Sequence, residues 1–158
     1  LKDQARNDGA TPLFIAAQQG HLDVVRHLVE VGALKDQART DGATPLFIAS
    51  ENGYLDVVRH LVEAGAHKDQ AANDGATPLL IAAGQGHLEV VRHLVEVGAQ
   101  IDQATNLGVT PLSIAAELGH PDVVRHLVEV GALKDQARND GATPLSIAAQ
   151  QEIGRAHV

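Results

Sequence analysis

Nine histidines and twenty carboxylates carry most of the reactive chemistry in this 158-residue chain. Four of the histidines, His27, His60, His93 and His126, recur at a fixed interval, each four residues after a carboxylate: Asp23, Asp56, Glu89 and Asp122. Imidazole with carboxylate is the material of zinc sites and of general acid–base catalysis. Spacing argues against the metal. Helices packed side by side lie about 8–10 Å apart, so successive rings form a line at that separation. Zinc needs its ligand nitrogens within about 2.1 Å. Within one segment His21 and His27 are six residues apart and face different ways. No metal and no other cofactor is expected.

Protonation is the second chemistry such a line could support. A carboxylate four residues earlier, and a nearby helix C-terminus, both favour the charged ring. Repulsion between charged neighbours at about 10 Å opposes it, by roughly 0.4 kcal/mol in water and about 1.7 at an effective dielectric of 20. The effects are of similar size, so no sharp switch follows: a polar flank is the expected role, with a pH sensor as the alternative. A stability curve flat across mild acid would dispose of the sensor.

Catalysis finds little material. There is no cysteine nucleophile and no glycine-rich phosphate loop of the right spacing. Ser50, Ser113 and Ser146 lie where helices are expected, without a base and an orienting acid beside them. The acidic residues recur with the interval of the histidines, as residues of a solvated face do. The chain is not expected to be an enzyme.

The elements that position these side chains are legible in the interval itself. Thr11-Pro12-Leu13 returns at Thr44-Pro45-Leu46, Thr77-Pro78-Leu79, Thr110-Pro111-Leu112 and Thr143-Pro144-Leu145, always 33 residues on. Leu1 to Leu13 is identical to Leu133 to Leu145. A fixed period of this size means one small unit, stacked. In the unit spanning residues 7–39, Asn7-Asp8-Gly9 is a tight-turn signal. Thr11 caps a helix, with Pro12 at its first position, where the missing N–H does no harm. Gly20 ends that helix in the left-handed region. A second helix begins near Leu22 with Asp23 in its first turn, carries Val24, Val25, Leu28 and Val29 at helical spacing, and ends at Gly32. Both helices are shorter than the roughly 12–15 residues at which isolated helices become marginal in water. Each therefore depends on its neighbours, which is why the unit repeats.

With these residues in place the chain resembles an ankyrin-repeat array. The Gly-x-Thr-Pro-Leu-x-x-Ala-Ala run at Gly9 to Ala17, the Gly20-His21 pair and the Gly32-Ala33 pair match the family pattern. The resemblance implies an all-α solenoid of stacked turn–helix–helix units with β-hairpin-like turns. Residues 1–6 would end a preceding repeat, residues 7–39, 40–72, 73–105 and 106–138 would be full repeats, and residues 139–151 the first helix of a fifth. The histidine that usually follows Thr-Pro-Leu in the family, where it ties adjacent turns, is replaced by Phe14, Phe47, Leu80, Ser113 and Ser146. Weaker polar bonding between turns is expected, with ring packing substituting in the first two units and the serine units forming the softer end. The ladder histidines stand where the family usually has Leu.

The resemblance also implies function: a rigid scaffold that binds an unidentified protein partner through turn tips and a concave face. By position the candidate contacts are Asp8, Asp41, Asp74 and Asp140 at the tips, with Gln18, Gln19, Glu51, Asn52, Gln85 and Glu117 along the groove. The fourth repeat departs at three such places, with Leu107 for Asp, Val109 for Ala and Leu118 for Gln or Asn. Three apolar residues at positions expected to face solvent would form a local patch of the kind that marks partner contacts. Tyr54, where other repeats have His, is a further candidate beside Glu51 and Asn52. A different reading makes the segment a targeting arm or spacer of a larger enzyme or channel.

Composition sets the remaining limits. A net charge of -8 argues against nucleic acid, which calls for a basic stripe. No apolar run reaches the roughly 20 residues of a membrane span. The absence of cysteine fits an intracellular, cytoplasmic setting. The chain starts in mid-repeat and reads as a fragment of a longer ankyrin-repeat protein, with uncapped ends through which it could self-associate. Residues 152–158, Glu152 to Val158, leave the repeat pattern. One reverse translation of them, GAGATCGGAAGAGCACACGTC, resembles a sequencing-library adapter, so the tail is expected to be non-native.

Overall fold

The structure, a computed structural model, describes residues 1–156. It divides into two compact units, Leu1–Pro78 and Leu79–Val158. The first holds α1 (Pro12–Gln19), α2 (Leu22–Glu30), α3 (Pro45–Glu51) and α4 (Leu55–Glu63). The second holds α5 (Pro78–Gln85, whose first residue closes the preceding unit), α6 (Leu88–Glu96), α7 (Pro111–Glu117), α8 (Pro121–Glu129) and α9 (Pro144–Ala156). Among the described residues there is no strand. None of their helices is long and apolar enough to cross a membrane.

Local chemistry starts and stops the helices as the sequence indicates. Thr11, Thr44 and Thr110 sit in extended conformation before a proline, and their hydroxyls accept the N–H of Phe14, Phe47 and Ser113. Each thereby satisfies one of the donors a helix start leaves orphaned. At the end of α1, Gly20 has φ 73°. Its N–H and that of His21 return to the carbonyls of Ala17 and Ala16 at 3.2 and 3.0 Å, a paired closure that requires the left-handed region. Gly32 and Ala33 close α2 on Val29 and Leu28 in the same way. Glu152 occupies the register of Gly20, and without a glycine there α9 continues to Ala156. The last two residues of the expected non-native tail, His157 and Val158, lie outside the described residues.

The first unit packs α1 against α2 and α3, α3 against α4, and α2 against α4. Leu13, Phe14, Leu46, Val57, Val58 and Leu61 are buried there, with Ala17 and Ala49 as the small residues between. In the second unit α7 packs against α8 and α9, and α6 against α8. Leu79, Leu94, Leu112 and Leu127 form its centre with Ala83 and Ala115.

Two expectations change in this setting. The recurring carboxylates are not all solvated-face residues: Asp3 and Asp36 accept the N–H of Leu34 and His67 in the next repeat of the first unit, both at 2.9 Å. Asp102 does the same for Leu133 in the second. Each carboxylate clamps one repeat to the next through a backbone donor. The histidine line is likewise a polar flank only in part. His27 is exposed, but Nε2 of His60, of His93 and of His126 is buried without a hydrogen-bond partner. His60 and His126 lie on helices that pack against a preceding second helix, α4 on α2 and α8 on α6.

Candidate functional site

The tips are built to one plan. In the first unit Arg6 donates its N–H to the carbonyl of Ala10 at 2.9 Å, and Gly9 donates back to Arg6 at 2.9 Å. Arg39 and Gly42, then Ala72 and Gly75, repeat both bonds. The tip carboxylate completes each turn: Asp8, Asp41 and Asp74 accept the N–H of Ala10, Ala43 and Ala76 at 3.0, 3.1 and 2.9 Å. In the second unit Asp140 accepts from Ala142 at 2.9 Å. One oxygen of each tip aspartate thus works for the fold, while the residue itself stays exposed.

Bonding between turns is ample, contrary to the expectation drawn from the missing family histidine. The Thr40 N–H donates to Asp8 O at 2.9 Å and the Asn73 N–H to Asp41 O at 3.0 Å. The Asn73 side chain adds a bond to Thr40 O at 3.0 Å. In the second unit Asn139 binds Leu107 O through its backbone and Asn106 O through its side chain. A backbone ladder reinforced by asparagine replaces the histidine. Ser113 meanwhile turns back on its own cap, exchanging bonds with Thr110 at 2.9 and 3.1 Å in a capping box.

Arg39, which the sequence did not single out, organises the first unit's surface. Its Nε and Nη2 donate to both oxygens of Asp41, at 3.1 and 2.6 Å. Its guanidinium carbon stands 4.8 Å from the centre of the Phe14 ring, a cation–π contact. The hydrogen bond from Arg39 holds the Asp41 carboxyl below the usual range, against partial desolvation and with help from the Ala43 N–H. The same bond raises Arg39, and the charges of Asp8 and Glu51 add to it. A depressed carboxyl stabilises the fold above the unfolded-state value and loses that contribution as pH falls through the folded one. Asp41→Asn should therefore flatten part of the stability decline below about pH 4 and cost only about 0.5 kcal/mol at neutral pH, as surface pairs do. Urea midpoints from pH 7 to 3 check this. An unchanged acid slope would exclude the pair as its source.

The fourth repeat solves its turn differently. Leu107 has no carboxylate to offer, and Thr105 takes over: its Oγ1 accepts the N–H of Val109 at 3.1 Å and of Leu107 at 3.3 Å. Thr105 stands where other repeats have Arg or Ala. Removing this acceptor should cost about 1 kcal/mol. Thr105→Ala is therefore expected to destabilise the chain by that amount, and adding Leu107→Asp should recover it by restoring the acceptor of the other tips. Chemical unfolding of the two variants provides the comparison. Equal stability of the single and the double variant would mean Thr105 is not the substitute.

Exposure sorts the sequence candidates. Leu107 is 68% and Leu118 53% exposed. Val109 is a correction: at 9% it belongs to the core, because its place in the turn points inward like that of Ala10 and Ala43. Gln19, Asn52, Gln85 and Glu117 are exposed, Gln18 and Glu51 partly so. Several have structural duties besides. The Asn52 side chain donates to Gln18 O at 3.1 Å, Gln151 donates to Glu117 O, and Glu117 pairs with Arg138 at 2.9 Å. Tyr54 is half-packed: a Cβ on Gly20 would lie 3.0 Å from three of its ring carbons. The equivalent His120 lies over Gly86 and bonds Gly84 O at 2.9 Å.

Among the described residues no group of three His, Asp or Glu side chains converges as metal ligands would. Each unit by itself presents braced turns whose tip residues face outward, polar at Asp8, Asp41, Asp74 and Asp140 and apolar at Leu107. A family model described as ankyrin repeats, in three copies, matches residues 1–72, 67–137 and 105–157. No curated protein matches the chain.

Proposed function

The chain belongs to the ankyrin-repeat family, and on that premise we propose that it binds a partner protein through its turn tips and the ends of its first helices. Ankyrin repeats are in general protein–protein interaction modules, typically without catalysis. The observation that carries the proposal is the bracing of the tips. Each turn is closed by its own bonds and tied to a neighbour through backbone donors, so outward side chains such as Asp8 and Asp74, each bonded to its own turn, are held in place before a partner arrives. Preorganised contacts lose little freedom on binding, which favours affinity.

A photo-crosslinking amino acid placed in turn at Asp74, Gln85, Arg59 and Arg92 tests this in extracts of the cells that make the protein. The first two mark the tips and first-helix ends, and the last two are exposed on the second helices α4 and α6. Adducts are expected from Asp74 and Gln85 only. Equal adducts from the arginine positions, or none from any, would defeat the reading.

A further inference from the structure

Resting on that reading, we propose that the tip of the fourth repeat is a specificity element that takes a partner segment pairing an apolar side chain with a basic one. The apolar half is Leu107. The other four tips carry aspartate at this position, and its carboxylate closes the turn. Exchanging aspartate for leucine would ordinarily leave the N–H two residues later without an acceptor. Here Thr105 supplies that acceptor at 3.1 Å. The turn is kept, and position 107 is released to present an apolar side chain to solvent. The same repeat makes a second such exchange at its groove: Leu118 replaces Gln or Asn and stands 53% exposed at the end of α7. It lies near the backbone of Gly84, where a Cβ would come within 3.8 Å of its Cδ1.

The basic half of the partner is read from Asp140. Arg39 in the first unit neutralises its own tip carboxylate, Asp41, at 2.6 Å. Its counterpart Arg138 is drawn instead to Glu117 at 2.9 Å. Asp140 is therefore left with one oxygen bound to the Ala142 N–H and its charge unmatched by Arg138. Asn139 joins the two tips by its bond to Leu107 O at 3.0 Å, so apolar and anionic contacts sit in successive turns of the same unit. A bound segment with a cation opposite Asp140 and an aliphatic or aromatic group on Leu107 matches both. A second cation in place of the apolar group would meet leucine and lose its hydration without compensation.

A displayed random-peptide library panned on the whole chain tests this, with affinities then measured on the chain and on the variants Leu107→Asp and Asp140→Asn. Both variants keep the turn acceptor, so the fold is preserved. Enriched peptides are expected to carry an apolar residue close to Lys or Arg. Their affinity should fall tenfold or more with Leu107→Asp, and Asp140→Asn should weaken them in a salt-dependent way. Peptides that bind all three proteins equally would overturn the specificity element and leave the binding module standing. A library yielding no binder to any of them would overturn both.

Discussion

Replacing Gly42 by alanine is expected to destabilise the protein by about 3 kcal/mol. Two costs combine. Gly42 has φ 86°, where an alanine pays about 1 kcal/mol or more for its Cβ. The new methyl would also stand 2.7 Å from the backbone nitrogen of Asn73, 2.6 Å from its Oδ1 and 3.0 Å from the Cα of Ala72. Backbone at that distance cannot move aside as a flexible side chain could. Relief requires the next turn to shift, which breaks the bonds from Asn73 to Asp41 O and Thr40 O. Gly65→Ala separates the two costs. Its φ is 96°, yet nothing lies within 4 Å of the added Cβ, so only the conformational part applies, about 1 kcal/mol. Urea denaturation of both variants should show the larger loss at Gly42. Equal losses would mean the close approach of the two turns contributes nothing.

Replacing His60 by leucine should act in the opposite direction, raising stability by about 2 kcal/mol. The buried Nε2 of His60 has no partner, and a buried polar atom left unsatisfied costs about 1–3 kcal/mol. Leucine fills a similar space with apolar carbon and removes that cost, adding the gain of apolar burial. His126→Leu in the second unit should behave alike, since its Nε2 is in the same condition. His27 is exposed at the equivalent position, and His27→Leu should change little. A thermal midpoint that rises for His60 and His126 but not for His27 is the expected pattern. No rise at His60 would show that its ring nitrogen is satisfied in solution.

The stability effects at His60 and Gly42 have different histories in the sequence. Glycine recurring before Thr-Pro-Leu was legible as a turn, and its positive φ followed from the Asp-Gly signal. That the next turn would touch it was not legible, because Asn73 is 31 residues away and only the stacking of repeats brings it near. The histidine line was legible as a line. Its burial was not, since the helical wheel of one repeat does not say which flank the neighbouring repeat covers. The inward side of the turn, where Val109 lies with Ala10 and Ala43, was not legible either, nor was the role of Asp3, Asp36 and Asp102, whose partners are backbone donors 31 residues on. Thr105 left a signal, a threonine two residues before the tip position that loses its aspartate, but its meaning depended on a turn geometry that brings residues 105 and 109 together.

By itself the sequence determined the unit: its 33-residue period, its threonine caps, its glycine closures and the family these define. Such features depend on contacts within a few residues, so they travel with the local sequence wherever it occurs. Burial and bonding between repeats do not. Leu1 to Leu13 and Leu133 to Leu145 have the same sequence, yet Leu13 is 1% exposed and Leu145 68%. Leu13 lies on α1, against which α2 folds back after Gly20. Leu145 lies on α9, which packs against α7. Identical letters reach opposite environments because apolar burial is a property of the surface brought against a residue, and that surface belongs to the tertiary structure.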